Sequence, residues 1–151
     1  MSNPGGEIMR IQSIAPRDWG LLILRLGLGI TLILHGYPKF AGAGPMAFAR
    51  YLRVHHFPAP LFSAWFMALV EFVGGVAIVA GFQTTYVGYL AAFERLMIAW
   101  RLKMAAGVAF IAARGVGWEF DFLLLCMAVA VALLGAGAVT LEAVWRSRRT
   151  M

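Results

Sequence analysis

Residues 61–82, LFSAWFMALVEFVGGVAIVAGF, hold a single charged side chain, Glu71, near the middle of the run. At a rise of about 1.5 Å per residue, a helix of this length matches the roughly 30 Å hydrocarbon layer of a bilayer. Three further runs share the pattern: WGLLILRLGLGITLILHGYPKF at 19–40, a more polar stretch over 85–108, and WEFDFLLLCMAVAVALLGAGAV at 118–139. Only 13% of the 151 residues are charged and 62% are hydrophobic. Soluble domains carry about 25% charged residues. A chain this poor in polar groups cannot clothe a globule, so the pattern predicts an all-α, four-helix transmembrane bundle. The uncharged turn GFQTT at 81–85 is tight enough to make the second and third spans antiparallel neighbours.

The organisation along the chain is simple. Residues 1–18 form a polar N-terminal tail, 19–143 the membrane domain and 144–151 a basic C-terminal tail. The first run is too long for a signal-peptide core and contains Arg25, so a retained span is expected. Between the first two spans, Phe48, Tyr51, Leu52 and His55 fall at i, i+3, i+4, i+7, with Arg50 and Arg53 on the other side. That spacing predicts a short interfacial helix lying in the headgroup plane. Ala128, Ala132 and Ala136 make a small-residue stripe on which another helix can approach closely, as do Ala77 and Gly81. Trp19, Tyr37, Phe40, Trp118 and Trp145 sit at segment ends, as interfacial aromatics do. The formal net charge of +6 has no exposed aromatic interleaving, so the lipid bilayer and its anionic headgroups, not nucleic acid, are the expected partner. The single cysteine, Cys126, excludes an intrachain disulfide. The basic cluster Arg146, Arg148 and Arg149 favours cytoplasmic termini on a bacterial-type inner membrane.

The charges inside the runs demand an explanation. Each ionisable group at mid-span costs roughly 2.5–3.5 kcal/mol. Arg25, Glu71, Glu94 and Arg95 are therefore expected to face the bundle interior and pair, with Arg25 the first choice of partner for Glu71, His35 the second and Arg95 the third. A second layer of His35, Lys39, Arg101, Glu119 and Asp121 lies nearer the far surface. Two readings fit: interhelical glue, or a polar cleft for a quinone or other small head group. His55 and His56 are adjacent rather than at i, i+4, so no metal site is predicted. There is no CxxCH, bis-His helix pair or Gly-rich nucleotide loop, so no covalent cofactor and no catalytic residue are assigned, and whether the chain is itself an enzyme is left open.

The ordered set LRLGLGITLILHGYPKFAG (24–42), FPAP (57–60), VEFVGGVAIVAGFQT (70–84), GWEFDFLLL (117–125) and GAGAVTLEA (135–143) resembles the DoxX family of small membrane proteins. The resemblance implies a four-helix transmembrane bundle and an association with quinone-linked respiratory, thiosulfate-oxidising or oxidative-stress assemblies. Positions matching the family's polar residues are Arg25, His35, Gly36, Lys39, Glu71, Gly75 and Glu119. Of these, Arg25, His35, Lys39, Glu71 and Glu119 are the expected lining of a cofactor-binding cleft, with quinone the candidate ligand. The third span departs from the family pattern in its charges, Glu94, Arg95, Arg101 and Lys103. The expected role is that of an accessory integral membrane subunit that packs against and stabilises a larger quinone-linked or respiratory complex. The alternative is a quinone-interacting component of an oxidoreductase whose redox centre lies on a partner.

Overall fold

The computed structural model describes residues 15–42 and 44–141, and all regular structure among them is helical. Helix α1 spans Pro16–Ala41; Ala15 is extended, and Pro16 fills the first turn, where a missing amide costs nothing. Helix α2 spans Gly44–Val54. Helix α3 runs over Pro60–Ala80 and again opens on a proline. Its middle, Val70–Gly74, widens into a π-helical turn before α-geometry resumes at Gly75.

Gly81 ends α3 in the left-handed region, donating to Ile78 O at 3.1 Å while Phe82 N donates to Ala77 O at 2.9 Å. These paired bonds satisfy carbonyls that a helix end otherwise leaves open. Helix α4 follows at once, α-helical over Thr84–Ile98 and π-helical over Ala99–Met104. Helix α5 covers Glu119–Leu134.

Two boundaries differ from expectation. The first helix begins at Pro16, inside the segment assigned to the polar tail. The last stops at Leu134 rather than continuing to 139, because Gly135 and Gly137 both adopt positive φ and break it. Most of the N-terminal tail and the whole basic C-terminal tail lie outside the described residues. Among those described, α1 and α3 are the two helices long and apolar enough to cross a membrane, with mean hydropathies of 1.6 and 1.9. Helix α5 has 16 residues, and the α4 segment carries four charges.

Small residues decide how the helices meet. A Cβ on Gly29 of α1 would lie 2.8 Å from Gly75 O of α3, and one on Gly75 would lie 2.8 Å from Gly29 O. On the other pair, a Cβ on Gly88 of α4 would lie 2.9 Å from Ala128 O and from the Ala132 methyl of α5. The predicted alanine stripe is thus a close-packing face at Ala128 and Ala132, both buried. Leu28, Leu32, Ile78, Ala91, Leu124 and Val131 fill the space between the four long helices. Outward-facing side chains remain apolar: Ile23 is 69% exposed and Phe62 73%. Such surfaces suit lipid and not water.

Helix α2 lies over the start of α3 and the end of α4, burying Ala49 and Leu52 in a cluster with Ala64, Met67 and Ile98. The inward line therefore runs through 49 and 52; of the apolar line read from the spacing, Leu52 is buried while Tyr51 and His55 are not. Both of those are exposed, their rings in tilted contact with centroids 4.4 Å apart. His55 falls just past the end of α2 at Val54, and Tyr51 lies within the helix on its exposed side.

Candidate functional site

The Gly29–Gly75 contact fixes the register of α1 on α3, and everything polar follows from it. Four residues toward the N-terminus, Arg25 lies level with the end of α3. Seven residues the other way, Gly36 lies against Glu71 and Phe72, where an added Cβ would come within 2.5 Å of Phe72 N. Lys39, less than one turn beyond, reaches the Glu71 carboxylate.

Arg25 is consequently not the partner of Glu71. Its Nε donates to Ile78 O at 2.9 Å, Nη2 to Val79 O at 2.8 Å, and Nη1 to Ala136 O at 2.6 Å and Val139 O at 2.8 Å. The expectation failed because depth counted from helix ends ignores register. A guanidinium can also be satisfied by backbone carbonyls, here two at the end of α3, where the helix carries partial negative charge, and two in the segment after α5. Gly81 makes this possible, since a Cβ there would fall 2.6 Å from Arg25 Nη2.

Glu71 instead accepts from Lys39 Nζ of α1 at Oε2 and from Arg95 Nη2 of α4 at Oε1. Arg95 also binds its neighbour Glu94, through Nη2 at 2.8 Å and Nε at 3.1 Å. Its Nη1 lies 3.6 Å from Asp121 Oδ1 of α5. Lys103 Nζ stands 2.6 Å from Asp121 Oδ2, an ionic contact without hydrogen-bond alignment, and donates to Gly117 O at 2.9 Å. Counted by formal charge, three cations (Lys39, Arg95, Lys103) balance three acidic groups (Glu71, Glu94, Asp121) in the network drawn from α1, α3, α4 and α5. That balance is what permits burial: isolated charges removed from water would each cost several kcal/mol. Glu71 sits in one π-helical turn and Lys103 in the other. Extra residues of this kind recur at functional sites, because they re-aim side chains without breaking a helix.

A cleft of about 510 Å³ opens on this network. His35, Lys39, Glu71, Arg95, Lys103 and Asp121 make its polar side, and Phe48, Tyr51 and Phe120 face them. His35 Nδ1 lies 2.8 Å from Thr31 O. A carbonyl can only accept, so Nδ1 carries the proton, and in the neutral ring Nε2 is an acceptor. The ring also packs on Phe120, with centroids 5.4 Å apart. A smaller cavity of about 270 Å³, walled by Phe57, Phe62, Phe66 and Phe93, is almost wholly apolar.

Of the five residues nominated from sequence, His35, Lys39 and Glu71 come together in the cleft. Arg25 lies at the opposite end of α1, and Glu119 is outside the lining, its Oε2 buried without a hydrogen bond from the described residues. Arg95, Lys103 and Asp121 were not nominated. Their signal was present, since all three are charges within or at the edge of apolar runs: Arg95 in the middle of the third, Lys103 toward its end and Asp121 at the start of the fourth. Only the helix register distinguishes Asp121 from Glu119.

The DoxX family model matches residues 20–104, more than half of the chain. A protein of Bacillus subtilis (strain 168) named "Putative oxidoreductase CatD" is 32% identical over 124 residues, covering 82% of this chain and 84% of that protein. No solved structure matches. The family match takes in Lys39, Glu71 and Arg95, and the relative extends the likeness over most of both chains: this chain belongs to the DoxX family of membrane proteins.

Proposed function

We propose that the chain is a four-span protein of a bacterial-type inner membrane that holds a quinone head group in the cleft, as the quinone-interacting component of an oxidoreductase whose redox centre lies on a partner. The observation that carries this reading is the pairing of ammonium donors, Lys39 and Lys103, with an aromatic wall of Phe48, Tyr51 and Phe120 across one cavity. A quinone is a flat apolar ring with acceptor oxygens, and it needs both. The cavity volume falls within the roughly 300–1,000 Å³ of small-molecule sites. The name of the B. subtilis relative supports a redox setting. In this arrangement α1, α3, α4 and α5 cross the bilayer with both termini cytoplasmic. Helix α2 lies in the opposite headgroup layer, where it covers the cleft. Lys39 and Lys103 orient the ring oxygens, the aromatic wall excludes water, and His35 Nε2 can take or return a proton at the cleft mouth.

An accessory role in a larger complex has its own support. Tyr86, Tyr89, Phe93, Leu96 and Trp100 project from α4 at spacings of three and four residues, and all are exposed. Such a stripe can pack against a partner helix. Purification from native membrane in mild detergent, with bound proteins and lipids identified, separates the two. An isolated chain carrying about one quinone supports the first reading. A stoichiometric complex in which this chain holds no quinone supports the accessory role instead.

A further inference from the structure

The polar groups of the cleft are not equally reachable. Glu71 is 1% exposed, and Arg95 and Asp121 each 3%, whereas Lys39 keeps 17% of its side-chain surface and Lys103 22%. The carboxylates that line the cavity are almost fully covered while the lysines keep part of their surface, so the accessible charge of the cleft is positive. Each ammonium has three donors. Lys39 directs one at Glu71 and lies over the Phe48 ring, 4.6 Å from its centroid. Lys103 has Gly117 O and Asp121 Oδ2 as neighbours. Both lysines therefore retain donor capacity toward the cavity. The charged groups that face them are Glu71 on α3, Glu94 and Arg95 on α4, and Asp121 on α5, with the His35 ring on α1.

We propose that the cleft is selective for an anionic oxygen carried on an aromatic body, held by Lys39 and Lys103 with the ring against Phe48, Tyr51 and Phe120. This rests on the cleft being the ligand site and goes further, because a neutral quinone does not require the charge. The field is not screened as it would be on an open surface: the aromatic walls and the surrounding apolar helices keep the local dielectric low. Ammonium and carboxylate then form a charge-assisted hydrogen bond, roughly twice as strong as a neutral one. A cationic head group would instead meet two ammonium groups at close range.

Three probes that share a ring test this directly: 2-naphthoate, neutral 2-naphthamide and the 2-naphthylmethylammonium ion. The full chain is placed in zwitterionic lipid nanodiscs and titrated calorimetrically, with empty nanodiscs subtracted. Saturable binding of naphthoate at least about tenfold tighter than naphthamide, with no saturable binding of the cation, is the expected result. Losing either lysine strands a buried carboxylate and can unfold the chain, so the three-probe comparison on the unaltered protein comes first. Lys103→Met should then erase the preference and Lys103→Arg should keep it. Equal affinities for all three probes overturn the proposal, as does a preference unchanged in both Lys39→Met and Lys103→Met. Repeating the titration in nanodiscs containing phosphatidylglycerol identifies the source of the anion. Absence of competition by that lipid points to a free aromatic acid, as proposed; competition points to a headgroup occupant, which keeps the anion selectivity and overturns the aromatic half of the proposal. A chain that binds a short-tailed quinone yet shows no preference for naphthoate loses this inference and keeps the quinone reading. The reverse result keeps the selectivity and removes quinone as the ligand.

Discussion

Glu71 is clamped by cations from two different helices, Lys39 of α1 and Arg95 of α4, so its substitution is felt by three elements at once. Glu71→Leu removes one buried anion, leaves Lys39 without a carboxylate and leaves Arg95 with only Glu94 and Asp121, at a cost of about 3–5 kcal/mol. Glu71→Lys loses the same contacts and adds a third cation beside Lys39 and Arg95. Thermal unfolding in detergent should therefore rank unaltered protein above Glu71→Leu, and Glu71→Leu above Glu71→Lys. Equal midpoints for the two variants would contradict an electrostatic role. Arg25 makes the contrasting case, a buried cation satisfied by four carbonyls and no carboxylate among the described residues. Arg25→Met should lower stability by roughly 1–3 kcal/mol for each acceptor left dry, while Arg25→Lys recovers part of the loss. Neither change should alter ligand affinity, because Arg25 lies at the opposite end of α1 from the cleft.

At the scale of elements, glycine contacts set the register, and register decides which charges meet. A Cβ on Gly36 would lie 2.5 Å from Phe72 N and 2.8 Å from the Glu71 Cβ, atoms that cannot move without shifting α3. Gly36→Ala should cost about 1–3 kcal/mol, the usual penalty of overpacking, and displace Glu71 from Lys39. Gly20 on the same helix has nothing within 4 Å of an added Cβ. Gly20→Ala should be neutral or stabilising by up to about 1 kcal/mol, from helix propensity alone. Paired unfolding curves check both. Helix α2 should lie along the membrane surface, so spin labels at 46, 50, 53 and 54 should report shallow lipid contact while 49 and 52 stay protected. Uniform water exposure of the segment would make α2 a soluble cap.

The same register explains what could be seen in the sequence beforehand. Four apolar runs and an amphipathic connector were legible from composition and period, since each is a local property. The buried state of Glu71, Glu94 and Arg95 was legible too, because lipid leaves a mid-helix charge nowhere else to go. Which charge meets which was not, because it depends on the rotation and sliding of one helix on another. Those are fixed by Gly29, Gly36, Gly75 and Gly88 and by two π-helical turns that no periodicity announces.

For the whole molecule, a network of four buried and two half-buried charged side chains gives a bundle in lipid what apolar packing cannot: a directional interior that opens on one face as a cleft. Photo-labelling locates the ligand within that interior. The full chain in nanodiscs is irradiated with a short-tailed quinone bearing a photoreactive group, and the modified peptides are identified by mass spectrometry, with and without excess unlabelled quinone. Modification should fall on peptides containing His35–Lys39 and Phe48–Tyr51 and be suppressed by the competitor. Labelling confined to the outward face of α4 around Tyr86–Trp100, or insensitive to competitor, would contradict the cleft as a ligand site.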